Sequence, residues 1–202
     1  MKKLIFLIFF SLMLSSCNHL PTSEHEVPPT PREENSVVCY FSRAGENYSV
    51  GTVEKGNTEK LAEIFVNELS LSTSFRIETE KSYPASYNEC TAIAKQEKEN
   101  NERPKLKYNI DISGYENIYL GYPIWWSDMP MAIYTFLETN DFESKNIYPF
   151  CTHAGSGLAS TVTSIKKACP KANVHEGLAI LGFTAQNDQE AAKKAVRDYL
   201  SK

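Results

Sequence analysis

The sequence predicts an α/β fold: a doubly wound, five-stranded parallel sheet in the order 2-1-3-4-5, with helices on both faces. Three observations carry this reading. Short runs rich in β-branched and aromatic residues alternate with segments whose apolar residues recur at helical spacing. Five such strand–helix pairs follow one another from residue 36 to residue 202, with no internal repeat. Each joining segment is long enough for a helix, the crossover that parallel neighbours require.

The elements can be justified in order. Val37-Val38-Cys39-Tyr40-Phe41 is a continuous apolar run, as suits a central strand buried on both faces. A polar, glycine-bearing stretch leads from Ser42 to Asn57. Residues 58–69 then read as a helix, because Leu61, Ile64, Phe65 and Leu69 share one face. Residues 75–79 alternate, as a more exposed strand does. Pro84 marks a turn over 82–86, and residues 87–101 read as a polar helix that stops before Pro104. Residues 118–122 are the third strand. Pro130 falls in the first turn of the next helix, where its missing N–H costs nothing. That helix buries Ile133, Phe136 and Leu137. Residues 147–151 are the fourth strand and 152–157 a turn. Leu158, Val162, Ile165 and Cys169 then mark a helix face that ends at Pro170. Residues 177–182 hold the fifth strand. Asn187 and Glu190 are spaced like a capping box. They open a last helix whose Ala192, Ala195, Val196, Tyr199 and Leu200 face the core.

Ahead of the fold, residues 1–16 read as a bacterial secretory signal of the lipoprotein kind. Lys2 and Lys3 precede an apolar run over 4–14 that is too short to span a bilayer stably, and Ser15-Ser16 precede Cys17. The expected mature N-terminus is a lipidated Cys17, since two or more acyl chains anchor stably where one does not. No twin-arginine pair is present. Export is therefore expected in the unfolded state, with any cofactor acquired outside the cytoplasm. Residues 17–35 are polar, with Pro21, Pro28, Pro29 and Pro31 among four glutamates, and read as a disordered tether. This leaves 36–202 as one domain, lipid-anchored on the periplasmic side of a membrane or at the cell surface.

Composition excludes some functions. The chain carries 21 basic and 25 acidic residues. Without the two signal lysines the balance is 19 to 25, a net −6, and no basic run suggests nucleic acid. Cys39, Cys90, Cys151 and Cys169 are too scattered for a metal knuckle. Cys39 and Cys151 fall in apolar strands and read as buried thiols. A Cys90–Cys169 disulfide is compatible with an oxidising compartment.

In the order 2-1-3-4-5, strands one, three and four end side by side at the switch point where such sheets bind ligands. Three loops are therefore expected to converge. The first begins Ser42-Arg43-Ala44-Gly45-Glu46-Asn47-Tyr48 and ends Gly56-Asn57-Thr58. Hydroxyls, an amide and free N–H groups before a helix suit a phosphate, and Arg43 adds charge. The loop has neither the triphosphate nor the dinucleotide glycine pattern, so a monophosphate fits best. The second loop, Gly121-Tyr122-Pro123-Ile124-Trp125-Trp126, brings both tryptophans to a strand end. Two adjacent tryptophans cannot point the same way, so at least one faces the cleft or the surface. The third is Thr152-His153-Ala154-Gly155-Ser156-Gly157, whose glycines let backbone donors approach a flat ring. His153 reads either as a solvated loop histidine or as an acid.

Together these loops resemble the flavodoxin-like proteins, and more narrowly a bacterial group with a Tyr-Pro-Ile-Trp-Trp loop, over residues 37–202. The resemblance implies non-covalent FMN. Its phosphate would lie at Ser42, Arg43, Asn57 and Thr58. Its ring would lie between Pro123, Ile124, Trp125 and Trp126 on one side and Thr152, His153, Gly155, Ser156 and Gly157 on the other. The usual compact hydroxyl-rich turn is absent here. Either Ser42–Asn47 is itself the loop, or residues 44–55 are an excursion and Asn57-Thr58 closes it. The second is preferred, because Gly56-Asn57-Thr58 directly precedes a good helix. Tyr48 is an aromatic free to cover part of the ligand. Three functions remain open: an electron carrier serving a redox protein or small-molecule acceptor, an NAD(P)H-dependent FMN quinone-type reductase, and a flavin-free binding module.

Overall fold

The computed structural model describes residues 35–202. The expected signal segment, Cys17 and all of the expected tether but Asn35 lie outside the described residues. The chain runs β1 (Ser36–Tyr40), β2 (Gly45–Asn47), β3 (Gly51–Val53), α1 (Asn57–Glu68), β4 (Ser74–Arg76), α2 (Tyr87–Glu99) and β5 (Asn117–Pro123). It continues with α3 (Met131–Thr139), β6 (Asn146–His153), α4 (Thr161–Ala168), β7 (Asn173–Val174), β8 (Leu178–Leu181), α5 (Gly182–Asn187) and α6 (Gln189–Leu200).

The central sheet is parallel in the order β4-β1-β5-β6, with β7 and β8 both pairing β6 as two pieces of one outer position. This is the 2-1-3-4-5 order with its fifth strand broken. Alternation along β1 and β5 supplies both faces. Val37, Cys39, Phe41, Ile118, Leu120 and Tyr122 pack against Ile133 and Phe136 of α3 and Ile165 of α4. Val38, Tyr40 and Tyr119 pack on the other side with Leu61 and Phe65 of α1 and Val196 of α6. Phe65 stacks on Phe150 with ring centroids 4.3 Å apart, and truncating so buried a ring costs about 3–5 kcal/mol. Gly121 makes room for that stack, since a Cβ there would lie 2.3 Å from the Phe150 ring.

Several expectations shift. β6 runs on to His153, so Thr152 and His153 are strand residues and the turn starts at Ala154. The last helix is capped by Asp188, whose carboxylate accepts the Ala191 N–H at 3.0 Å, and not by Asn187, which ends the unforeseen helix α5. Pro130 is the N-cap of α3, just ahead of the first turn in which it was expected. All four described cysteines are free and buried, so Cys90 and Cys169 are not bridged.

Candidate functional site

Residues 44–55 form an excursion, the antiparallel hairpin β2–β3, whose ends return to one point. A Cβ on Gly56 would lie 2.2 Å from Ser42 Oγ and 2.6 Å from the Arg43 carbonyl oxygen. Only glycine lets the two ends of the loop close. Ser42 Oγ then accepts the Glu59 N–H at 3.0 Å and caps α1 from seventeen residues upstream. The Lys60 N–H goes to the Gly56 carbonyl. The first-turn amides of Asn57 and Thr58 have no partner among the described residues, so the positive end of α1 is open to an anion.

Arg43 does not aim its charge there. Its guanidinium donates to the carbonyls of Pro84 at 2.7 Å, Ala85 at 2.9 Å and Glu46. Three further contacts fasten the hairpin to the turn before α2. The Glu46 N–H donates to the Ala85 carbonyl, the Tyr87 N–H donates to Glu46 Oε2 at 2.9 Å, and Tyr48 lies 6.0 Å from Tyr87. The hairpin and the N-terminal half of α2 thus make one wall.

The facing wall is the tryptophan loop. Trp125 and Asp128 exchange backbone hydrogen bonds at 2.8 and 3.0 Å around Trp126 and Ser127, which take φ of 52° and 61°. A tight turn with two left-handed residues normally wants Asn-Gly. Each non-glycine residue there costs on the order of 1 kcal/mol or more. Fixed contacts hold Trp126 in place: its Nε1 donates to the Thr91 carbonyl at 2.9 Å, and Lys98 donates to its carbonyl. The turn splits the pair. Trp125 packs inward, edge-on to Phe41 and Tyr83 at 5.3 and 5.0 Å, while Trp126 lies outward and half-exposed.

Between these walls is a cleft of about 380 Å³ at the C-terminal ends of β1, β5 and β6. Of the expected site residues, Arg43, Asn57, Pro123, Ile124, Trp125, Trp126, Thr152 and His153 line it. Ser42, Thr58, Gly155, Ser156 and Gly157 do not. Ser42 lies beneath as the cap. Thr58 is buried with its hydroxyl 2.7 Å from that of Thr152, bracing the floor. The N–H groups of Gly155 and Gly157 turn back to His153 Nδ1, at 2.9 and 3.2 Å, instead of facing the cleft. Burial holds the His153 pKa below its ordinary value.

The sequence reading missed Tyr87, Cys90, Thr91 and Ala94 of α2, which also line the cleft. Their spacing of 0, 3, 4 and 7 is a helix face, but a face this small and mixed looks like the rest of a polar helix. Gly182, the first residue of α5, was read as the end of a strand. It lies over Asn57, where a Cβ would sit 2.6 Å from Nδ2.

A doubly wound sheet with an aromatic-walled cleft and an open helix N-terminus at its switch point defines a protein built to hold a flat, anionic ligand. The Flavodoxin family model matches residues 36–196, and the chain belongs to that family. The fold is similar to that of a candidate flavoprotein from Bacteroides eggerthii, at 26% identity and a TM-score of 0.65, over 83% of this chain and 98% of that one. It is also similar to a flavoprotein from Lactobacillus acidophilus solved in complex with FMN. That match has 24% identity and a TM-score of 0.55, over 72% of this chain and 92% of that one. No functionally curated protein matches the chain.

Proposed function

We propose that this chain is an FMN-binding redox protein acting in electron transfer, carried on the exported face of a bacterial membrane by lipid on Cys17. The observation that carries the reading is the pairing, in one cleft, of an open helix N-terminus at Asn57 with the Trp125–Trp126 wall. The residues fit the cofactor. Asn57, the first-turn amides of α1 and the close approach of Gly56 and Gly182 suit a phosphate monoester held by neutral donors. Trp125 and Trp126 suit a flat ring. Bound FMN supplies the redox chemistry, and the protein supplies position and environment.

The carrier reading is favoured by the rim, where Tyr48, Trp126, Leu181 and Phe183 are exposed large hydrophobic side chains. Such residues give a partner an apolar footing beside the ring. The reductase reading is kept by one feature. Tyr48 and Tyr87 present a tilted aromatic pair at the cleft mouth, a second flat surface against which a nicotinamide can lie. Scarcity of nicotinamides outside the cytoplasm favours the carrier.

Asn57→Asp tests the phosphate assignment. A carboxylate beside the phosphate site is expected to weaken FMN by at least about tenfold, through like-charge repulsion, and to leave riboflavin unchanged. Equal weakening of both flavins would move the phosphate elsewhere.

A further inference from the structure

We infer that His153 is a specificity-determining residue: a neutral imidazole locked with its proton on Nε2, which offers the cleft a fixed hydrogen-bond donor and selects a ring edge that presents a carbonyl or another unprotonated acceptor. The inference rests on the FMN reading for the identity of that ring, but not for the state of the imidazole.

His153 Nδ1 accepts two backbone N–H groups, from Gly155 at 2.9 Å and from Gly157 at 3.2 Å. A ring nitrogen that accepts cannot carry a proton, so in the neutral ring the proton is on Nε2. The loop is shaped to do this. Gly155 and Gly157 take φ of 128° and 60°, which turn both amides back toward the ring, and side chains rarely tolerate those conformations. The backbone that carries the ring is fixed as well, because His153 pairs with Leu181 across β6 and β8. Nε2 has no partner among the described residues, and His153 lines the cleft. A second proton on Nδ1 would expel both amides, which opposes the cation in the same direction as burial does.

This separates His153, at the end of β6, from the two roles a histidine beside an anion site usually suggests. It is not free in solvent, and it is not a cation beside the phosphate. Nor is its Nδ1 available as a base. What remains is a directional donor. A ligand N–H placed opposite it would set donor against donor, with no acceptor to relieve the clash. Discrimination therefore falls on the ring edge and is blind to the phosphate.

The test uses the full chain. Long-range ¹⁵N correlation spectra without ligand, with the His153 signals identified by their loss in His153→Gln, are expected to show Nδ1 unprotonated and Nε2 protonated at pH 7. The opposite pattern, or an average of the two, overturns the lock. Affinities for FMN and riboflavin are then measured in two variants. His153→Asn keeps an oxygen where Nδ1 was, so the loop stays braced, but it loses the inward donor. His153→Gln places an amide N–H at the reach of Nε2. The Asn variant is expected to lose about tenfold for both flavins, as for one hydrogen bond removed, and the Gln variant to stay within about threefold of the native chain. The reverse ranking would make His153 a loop brace only. A loss confined to FMN would place it at the phosphate. Either result overturns the proposal while leaving flavin binding intact, whereas a native chain that binds neither flavin overturns both.

Discussion

Replacing Gly56 by alanine should open the site from beneath. Gly56 has φ −65° and ψ 156°, a conformation alanine adopts freely, so the cost is one of space alone. The added Cβ meets Ser42 Oγ at 2.2 Å and the Arg43 carbonyl at 2.6 Å. The hydroxyl can rotate away, but only by giving up the Glu59 N–H, a cap worth about 1 kcal/mol. The carbonyl is backbone and can move only with the strand end, an overpacking cost of about 1–3 kcal/mol. The expected total is about 2–4 kcal/mol, or roughly 4–16 °C in Tm for a domain of this size. Urea denaturation gives the loss directly. Ser42→Ala alone should cost about 1 kcal/mol. Because the two residues share the clash, the double variant should cost about 1 kcal/mol less than the sum. Gly114→Ala, which meets nothing within 4 Å, should stay within about 0.5 kcal/mol of the native chain. A neutral Gly56→Ala, or strict additivity with Ser42→Ala, would refute the closure of the loop on Gly56.

Two other outcomes follow from the same contacts. Arg43→Gln removes the guanidinium that holds the Pro84, Ala85 and Glu46 carbonyls. Amide exchange in residues 45–53 should speed up well before global unfolding, with a global loss of only about 1–2 kcal/mol; exchange unchanged in the hairpin would deny Arg43 its bracing role. Glu97 is buried and accepts the Tyr83 O–H at 2.7 Å, and burial raises its pKa against the opposing effect of that bond. The folded state therefore binds the proton more tightly than the unfolded chain, and stability falls as pH rises from the ordinary carboxylate value through the raised one. Glu97→Gln keeps the acceptor and removes the charge. It should be more stable than the native chain at pH 7.5, with the advantage gone near pH 4. A Gln variant less stable at pH 7.5 would contradict the sign.

Much of the framework was legible because burial leaves its mark in sequence. Residues 37–41 read as a central strand because both faces of β1 are covered and no polar residue interrupts the run. The Trp125–Trp126 loop was legible because two adjacent large rings cannot both be buried in one direction. What was not legible had no such mark. The strands of the β2–β3 hairpin, Gly45–Asn47 and Gly51–Val53, are three residues each and bury little, so no alternation announces them. The broken fifth strand hides for the same reason: β7 is two residues long. The roles of Arg43 and of Gly155 and Gly157 failed on direction. Sequence supplies a charge or a donor but not its target, and the targets here include the Pro84 and Ala85 carbonyls, far along the chain from Arg43, and a neighbouring imidazole.

The central claim is that one cleft holds a flat ring and a phosphate together. The measurement that tests it most directly is titration of the native chain with FMN and with riboflavin, following flavin fluorescence. Strong quenching at equimolar FMN is expected, from the aromatic walls at Trp125 and Trp126, with much weaker binding of riboflavin, which lacks the anion that the α1 N-terminus would hold. Equal affinity for the two flavins would contradict the phosphate site, and no quenching by either would return the chain to the reading of a flavodoxin-fold binding module without flavin.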